Sequence, residues 1–544
     1  MVPVADRQTN RTSHPASIFF RQDLIAGAIV GAGLVLRLKL ASETFLNADE
    51  ALHFMAANQP SWKLTYQASL TISHPPLLIF LLHLWRGLGT SEVILRLPSV
   101  IAGTVFCWVL FKWLSDLFGP KTGLFGAAFA SFLPPLVALS VEIRQYALLL
   151  VFAISAMYFL EQALAHNSSK QMLVSSLCLW LALGAHYSAV ILAVSLGIYA
   201  LLRMAKRPIS RRVMAVWIIG QVVGVALCWT LYRYYVSAFG SRALHSWMDV
   251  YLHNSYFDRH QHNAFVFVIA RSASVFQYLF GQNVAGDLMF VVFVAGVVLV
   301  LRHKSALVAS PASKAQIATL LLLPFVINCG LALFDIYPYG GTRHCVFLAI
   351  FAIAGISFAF SKFFGLRHWR AAVSVAIIIG LCYLLPSRRL PYIARADQQR
   401  AYMAQALAFI RERIPDVDLL FVDNQTNLLL GHYLCQQRPF FIDEWAEGFN
   451  TLQCGGHRII GTDGRVFTFT AANFFASWNE LLRTPDLMPS DSVWVVQMGW
   501  HWEDPVAGEL KKQYPEFQDL QIHSFGHNIS VFQLPIAKTI SGNR

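Results

Sequence analysis

Long apolar runs recur along the first 386 positions, separated by short polar links. About 20 apolar residues in a helix cross the hydrocarbon core of a bilayer. That ruler predicts spans over residues 24–40, 94–115, 122–140, 146–164, 171–187, 189–204, 213–235, 285–301, 316–335, 345–361 and 369–386, about eleven in all. Residues 76–85 are apolar but too short to cross, and Pro75 and Pro76 before them predict an interfacial helix. After Pro386 the pattern changes to shorter, charged, periodic segments. Ala401 to Arg413 reads as an amphipathic helix that stops before Pro415. Leu419 to Val422 and Val493 to Val496 read as short buried strands, and Ile529 to Leu534 as a closing strand. The expected fold class is a polytopic α-helical membrane protein with a C-terminal α/β domain. Its expected parts are an N-terminal segment 1–22, a membrane domain 23–386 whose first outer loop is 41–93, and a second domain 387–544.

Composition agrees with that division. Hydrophobic residues make up 56% of the chain and charged residues only 13%, against about 25% in soluble domains. The net charge of +12 would suggest a nucleic-acid partner in a soluble protein. Here the basic residues collect in short links between apolar runs, most densely at Arg203, Lys206, Arg207, Arg211 and Arg212, so membrane lipids are the expected partners and nucleic acid is not. With the N-terminus in the cytoplasm, the basic links all fall inside. The acidic pair at 49–50, the 237–284 loop and residues 337–344 then fall outside, as the positive-inside rule requires. An odd number of spans puts residues 387–544 outside the cytoplasm as well. The first twenty residues are polar and basic and do not resemble a cleavable signal, so the first span is expected to remain as an anchor in the cytoplasmic membrane. Of 8 cysteines, six lie in or beside apolar runs and read as small hydrophobes. Cys435 and Cys454 lie in the polar region, where the sequence leaves their pairing open.

Candidate chemistry gathers on the outer side. Asp49 and Glu50 are adjacent carboxylates just beyond the first span, a placement suited to a base that acts at a membrane surface. His74 precedes two prolines, which stiffen its backbone. Glu142, Arg144 and Tyr146 lie between two spans; the guanidinium suits a phosphate, although snorkelling to headgroups is the plain alternative. His186 and Tyr187 occupy a link with almost no loop, where an interfacial anchor is the commoner role. Gly340, Gly341, Thr342, Arg343 and His344 open another span, with positive charge at a helix N-terminus. Lys63 reads as a solvated charge. His245, His253, His260 and His262 have no compact ligand spacing, so neither a metal nor a cofactor is expected. Carboxylates and several cations at one face suit an anionic, lipid-linked substrate: a carboxylate takes a proton from an acceptor hydroxyl, and cations stabilise a departing phosphate.

The ordered set Asp49-Glu50, His74-Pro75-Pro76-Leu77, Arg96-Leu97-Pro98-Ser99, Glu142-Ile143-Arg144-Gln145-Tyr146, His186-Tyr187 and Arg343-His344 resembles the GT-C glycosyltransferases over about the first 360 residues. It is most similar to the branch of protein O-mannosyltransferases and lipid A aminoarabinose transferases. The resemblance implies a sugar donor on a polyprenyl phosphate, transfer outside the cytoplasmic membrane, and inversion at the anomeric carbon. The acceptor would be a lipid, glycan or protein hydroxyl. Asp49 would be the base and Glu50 its support. Arg144 and Arg343 would meet the donor phosphate, and His74 would shape the first-loop site. Protein mannosyltransferases often carry glycine and lysine after the Pro-Pro-Leu step, where this chain has Leu78-Ile79, a departure at the point where the resemblance would imply mannose and a protein acceptor, so sugar and acceptor stay open. Two other functions fit the same charges. A ligase using a polyprenyl-pyrophosphate donor needs the same groups. A lipid or solute transporter would need two related halves, and the chain has no internal symmetry.

Overall fold

The computed structural model describes residues 15–237, 252–302, 312–364, 368–385, 398–435, 448–464, 466–484, 487, 492–499 and 506–535. Among these, eight helices are long and apolar enough to cross a membrane: Arg21–Glu43, Glu92–Phe118, Tyr146–His166, Ala189–Lys206, Arg211–Val236, Asn283–Arg302, Lys314–Leu333 and Arg343–Phe363. A ninth span is bent, with Pro120–Phe132 and Pro134–Ser140 meeting at 61°. The expected spans 171–187 and 369–386 form helices of 17 residues each, Ser169–Ala185 and His368–Leu384, shorter than the others. One expectation is corrected. The 237–284 segment is not loop throughout, because Ala264–Phe280 is a helix that Asn263 caps with its side chain.

The bend follows from sequence. Pro134 and Pro135 have no N–H, so the carbonyls of Ala130 and Ser131 lose their helical donors. Arg37, buried in the first span, donates to both, at 3.1 Å to Ala130 O and 2.9 Å to Ser131 O. A cation thus closes the end of the broken helix, where the backbone dipole is negative. Elsewhere small residues let helices meet at the backbone. A Cβ on Gly296 would stand 2.2 Å from the carbonyl oxygen of Gly355.

Between the first span and Glu92 the chain forms three short helices, Ala48–Ala57, Trp62–Ser69 and Leu77–Trp85. The last is the short helix expected after the two prolines, with Pro76 as its N-cap. The C-terminal domain is a six-stranded sheet flanked by helices. Its strands are β1 (Leu419–Val422), β2 (Asn450–Cys454), β3 (His457–Gly461), β4 (Ser492–Met498), β5 (Ile522–Ser524) and β6 (Ile529–Pro535), in the order β2-β3-β1-β4-β6-β5. β1 runs parallel to β3 and β4, and the other pairings are antiparallel. β1, β4, β6 and the Arg400–Arg413 helix answer the expected elements. Cys435 and Cys454 are joined as a disulfide.

The two parts share a core. Phe45, Ala48, Ala51 and Met55 pack with Met403, Ala406, Leu407, Ile410, Leu429 and Val496. The first loop and the C-terminal domain therefore lie on the same face of the membrane domain.

Candidate active site

Asp49 sits in the first turn of the Ala48–Ala57 helix, where the macrodipole favours negative charge. Asn47 caps that helix, and its side chain accepts from Glu50 N–H at 2.9 Å. Glu50 returns the bond, accepting from Asn47 N–H at 2.9 Å, so the two form a capping box. The two adjacent carboxylates then have different surroundings. Glu50 is fully buried, and both its oxygens are occupied: Arg96 donates to each at 2.8 Å, and Ile143 N–H donates to Oε1 at 2.9 Å. Arg96 also binds the carbonyls of Ala41, Thr44 and Phe45, so it holds the whole turn from the first span into the helix. Asp49 is partly exposed and faces two other cations.

Arg144 Nη1 lies 2.9 Å and Arg343 Nη1 3.0 Å from the same oxygen, Asp49 Oδ2. Burial pushes the Asp49 carboxyl up, but Arg144 and Arg343, with a smaller contribution from His53, more than reverse this and hold it at about 2. Arg144 comes from the short break between the Pro134–Ser140 and Tyr146–His166 helices. Arg343 comes from the turn that opens its own span. The Tyr146 ring lies beside both guanidiniums, 5.6 Å from Arg144 Cζ and 6.0 Å from Arg343 Cζ.

Four imidazoles extend from this centre. Ring centroids run from His53 to His74 at 6.0 Å, from His74 to His186 at 5.6 Å, and from His186 to His344 at 6.0 Å. Their partners settle three tautomers. His53 Nδ1 donates to Asp49 O at 2.6 Å, because a carbonyl only accepts. His74 Nε2 accepts from Arg144 Nη2 at 3.4 Å, because a guanidinium only donates. His186 Nδ1 accepts from Ser188 N–H at 3.2 Å, which leaves the proton of a neutral ring on Nε2. Burial, with Arg144 second, lowers the pKa of His53 to about 3; burial and then Arg144 depress His74 in the same sense. Both rings are therefore neutral at physiological pH. His186 Nε2, His53 Nε2 and both polar atoms of the Gln145 amide are buried with no hydrogen-bond partner among the described residues.

The fold thus brings together Asp49, Arg144, Tyr146, Arg343, His74, His186 and His344. Glu50 lies behind them. Glu142 is buried in the Arg144 segment. Tyr187 is partly exposed, and among the described residues no hydrogen bond or ring contact joins it to the group. Of the loop histidines, His245 lies outside the described residues, His253 and His260 are exposed, and His262 accepts from Asp258 N–H. Sequence reasoning passed over His53, Gln145 and the supporting role of Arg96. His53 had a signal, since it stands four positions after Asp49 on one helix face.

Residues 73–232 match the family model described as dolichyl-phosphate-mannose-protein mannosyltransferase. In fold, the chain is similar to ArnT from Cupriavidus metallidurans in the apo state, with a TM-score of 0.54 and 10% identity over 95% of this chain and 98% of that one. It is similar also to the same protein bound to undecaprenyl phosphate, with a TM-score of 0.53 and 12% identity over 93% and 97%. No curated protein matches the chain in sequence.

Proposed function

We propose that this chain is a membrane glycosyltransferase of GT-C type that moves a sugar from a polyprenyl-phosphate donor to an acceptor hydroxyl at the outer face of the cytoplasmic membrane, a reading that the family match over residues 73–232 and the ArnT-like fold support. One observation carries the reading: two guanidiniums converge on a single oxygen of Asp49 at 2.9 and 3.0 Å. Guanidiniums so placed are a phosphate-binding pair with a carboxylate in the seat. The related fold bound to undecaprenyl phosphate supports a lipid phosphate as the natural occupant.

In this reading the donor phosphate draws Arg144 and Arg343 away from Asp49. The carboxylate, relieved of its cations and still partly buried, becomes a stronger base. Asp49 takes the proton of the acceptor hydroxyl as its oxygen bonds to the anomeric carbon. The bond from that carbon to the phosphate oxygen breaks, and the electron pair leaves with the lipid phosphate, stabilised by the two arginines. A single displacement inverts the anomeric centre. His186 Nε2–H, in the ring next to His74 and His344, is a buried donor with no hydrogen-bond partner among the described residues, available to a substrate oxygen. Arg96 and Glu50 are positioning residues that hold the Asp49 turn.

The positive-inside pattern and the Cys435–Cys454 disulfide both support an outer location for the site and the C-terminal domain. The test is donor consumption by the purified protein over a panel of polyprenyl-monophosphate and polyprenyl-pyrophosphate sugars, with membrane extract as acceptor. Consumption of one monophosphate-linked donor with release of the lipid phosphate is expected. Consumption restricted to pyrophosphate donors, or of none, contradicts the reading.

A further inference from the structure

The C-terminal domain grips the chain directly in front of Asp49, and it does so from two of its own segments. At its entry, Phe45 N–H donates to Gln398 O at 3.0 Å, and Thr44 bridges to Gln399. At the end of the Asn424–Tyr433 helix, Leu46 N–H donates to the Tyr433 hydroxyl at 2.7 Å. That hydroxyl in turn donates to Glu92 Oε1 at 3.1 Å. Arg400, also from the C-terminal domain, pairs with Glu92 Oε2 at 3.1 Å. Glu92 begins the span that carries Arg96 four residues on. One tyrosine oxygen therefore joins the residue before the N-cap of the Asp49 helix to the head of the span whose arginine holds that helix.

The rest of the contact serves the same end. His432 meets Phe54, on the Asp49 helix, edge-on at 5.4 Å. Cys435, two residues beyond Tyr433, is tied to β2 by the disulfide with Cys454, which anchors the end of the Asn424–Tyr433 helix in the sheet. Burial raises the Tyr433 pKa well above the ordinary value, and Glu92 adds to this, so the hydroxyl keeps its proton and remains a donor.

We propose that the C-terminal domain is a positioning element of the active site, with Tyr433 as the residue that sets the place of Asp49. The inference rests on the glycosyl-transfer reading. An error of about 1 Å in a catalytic group costs on the order of a hundredfold in rate, and ground-state binding of the donor need not change with it.

The experiment compares full-length Tyr433→Phe with wild type for kcat, donor KM and thermal unfolding. The ring, and with it the packing on His432, is kept while the hydroxyl is lost. The expected result is a fall in kcat of about tenfold or more, with donor KM within about twofold and the unfolding temperature little changed. Glu92→Gln, which weakens the acceptor of the Tyr433 bond and the Arg400 pair that belongs to the same contact, is expected to give the same split at smaller size and serves if Tyr433→Phe does not fold. A wild-type kcat in the variant overturns the positioning role, as does a lower unfolding temperature with kcat untouched. Wild-type protein that consumes no donor contradicts the glycosyl-transfer reading, and the positioning role falls with it.

Discussion

Arg96 closes on Glu50 with both Nε and Nη2, at 2.8 Å to each carboxylate oxygen, in a site where neither side chain is exposed. The pair lies directly behind Asp49. A buried ion pair adds little against a well-packed apolar replacement, but removing one partner strands the other. Arg96→Met is therefore expected to cost about 3–5 kcal/mol and to abolish transfer by releasing the turn before Asp49. Thermal unfolding of the purified variant checks the first part and donor consumption the second. Glu50→Gln keeps the shape but loses the charge, so it is expected to be milder on both counts.

Arg343 stands at the head of the turn that opens its span, with Nη1 3.0 Å from Asp49 Oδ2. Arg343→Lys keeps a cation but loses the planar fork. Donor KM is expected to rise about tenfold or more, with a smaller fall in kcat, as measured by initial rates over donor concentration. An unchanged donor KM would remove Arg343 from the phosphate site.

The pH profile reports the exchange of partners. In the free protein the Asp49 carboxyl is held at about 2 by Arg144 and Arg343 against the effect of burial. Its pairing contributes stability above the ordinary aspartate value near 4, and that contribution is lost as pH falls through about 2. Over the working range kcat/KM should show no acid limb from Asp49. Once a donor phosphate holds the arginines, the carboxyl loses its cations and its pKa rises, so kcat should show an acid limb at higher pH than kcat/KM. Coincident limbs would mean that Asp49 keeps its arginines through the reaction.

The disulfide closes a loop with a sequence separation of 19 residues. Chain-entropy arguments give about 3 kcal/mol for a loop of that size. The double substitution Cys435→Ser and Cys454→Ser is expected to lower the thermal stability of the full-length protein to match, and reductant should do the same to wild type while leaving the double variant unmoved.

The membrane helices were legible because apolar length is a property of the sequence alone. The Ala264–Phe280 helix was hidden because Arg271, Ser272, Ser274 and Gln277 break its apolar run, and its partners come from tertiary packing. Arg37 was lost inside an apolar span. Its role depends on two carbonyls freed by prolines nearly a hundred residues away. The ordered motifs led to the GT-C family resemblance, and the family match and the fold agree with it. Asp49, Arg144 and Arg343 stood out as charges at the ends of apolar runs. Nothing in their order says which of two adjacent carboxylates faces the arginines; the phase of one short helix and the position of Arg96 decide that. The contact of Tyr433 with Leu46 spans 387 positions and has no local signature.

Glycosyl transfer as proposed depends on Asp49 as the base. The most direct measurement is single-turnover sugar transfer by Asp49→Asn beside wild type, with binding of undecaprenyl phosphate measured on both. The expected rate is lower by about a hundredfold to ten-thousandfold, the usual contribution of a general base. Lipid-phosphate binding is expected to be at least as tight as wild type, since the amide no longer competes for Arg144 and Arg343. Transfer at the wild-type rate by Asp49→Asn would contradict the role of Asp49 as base.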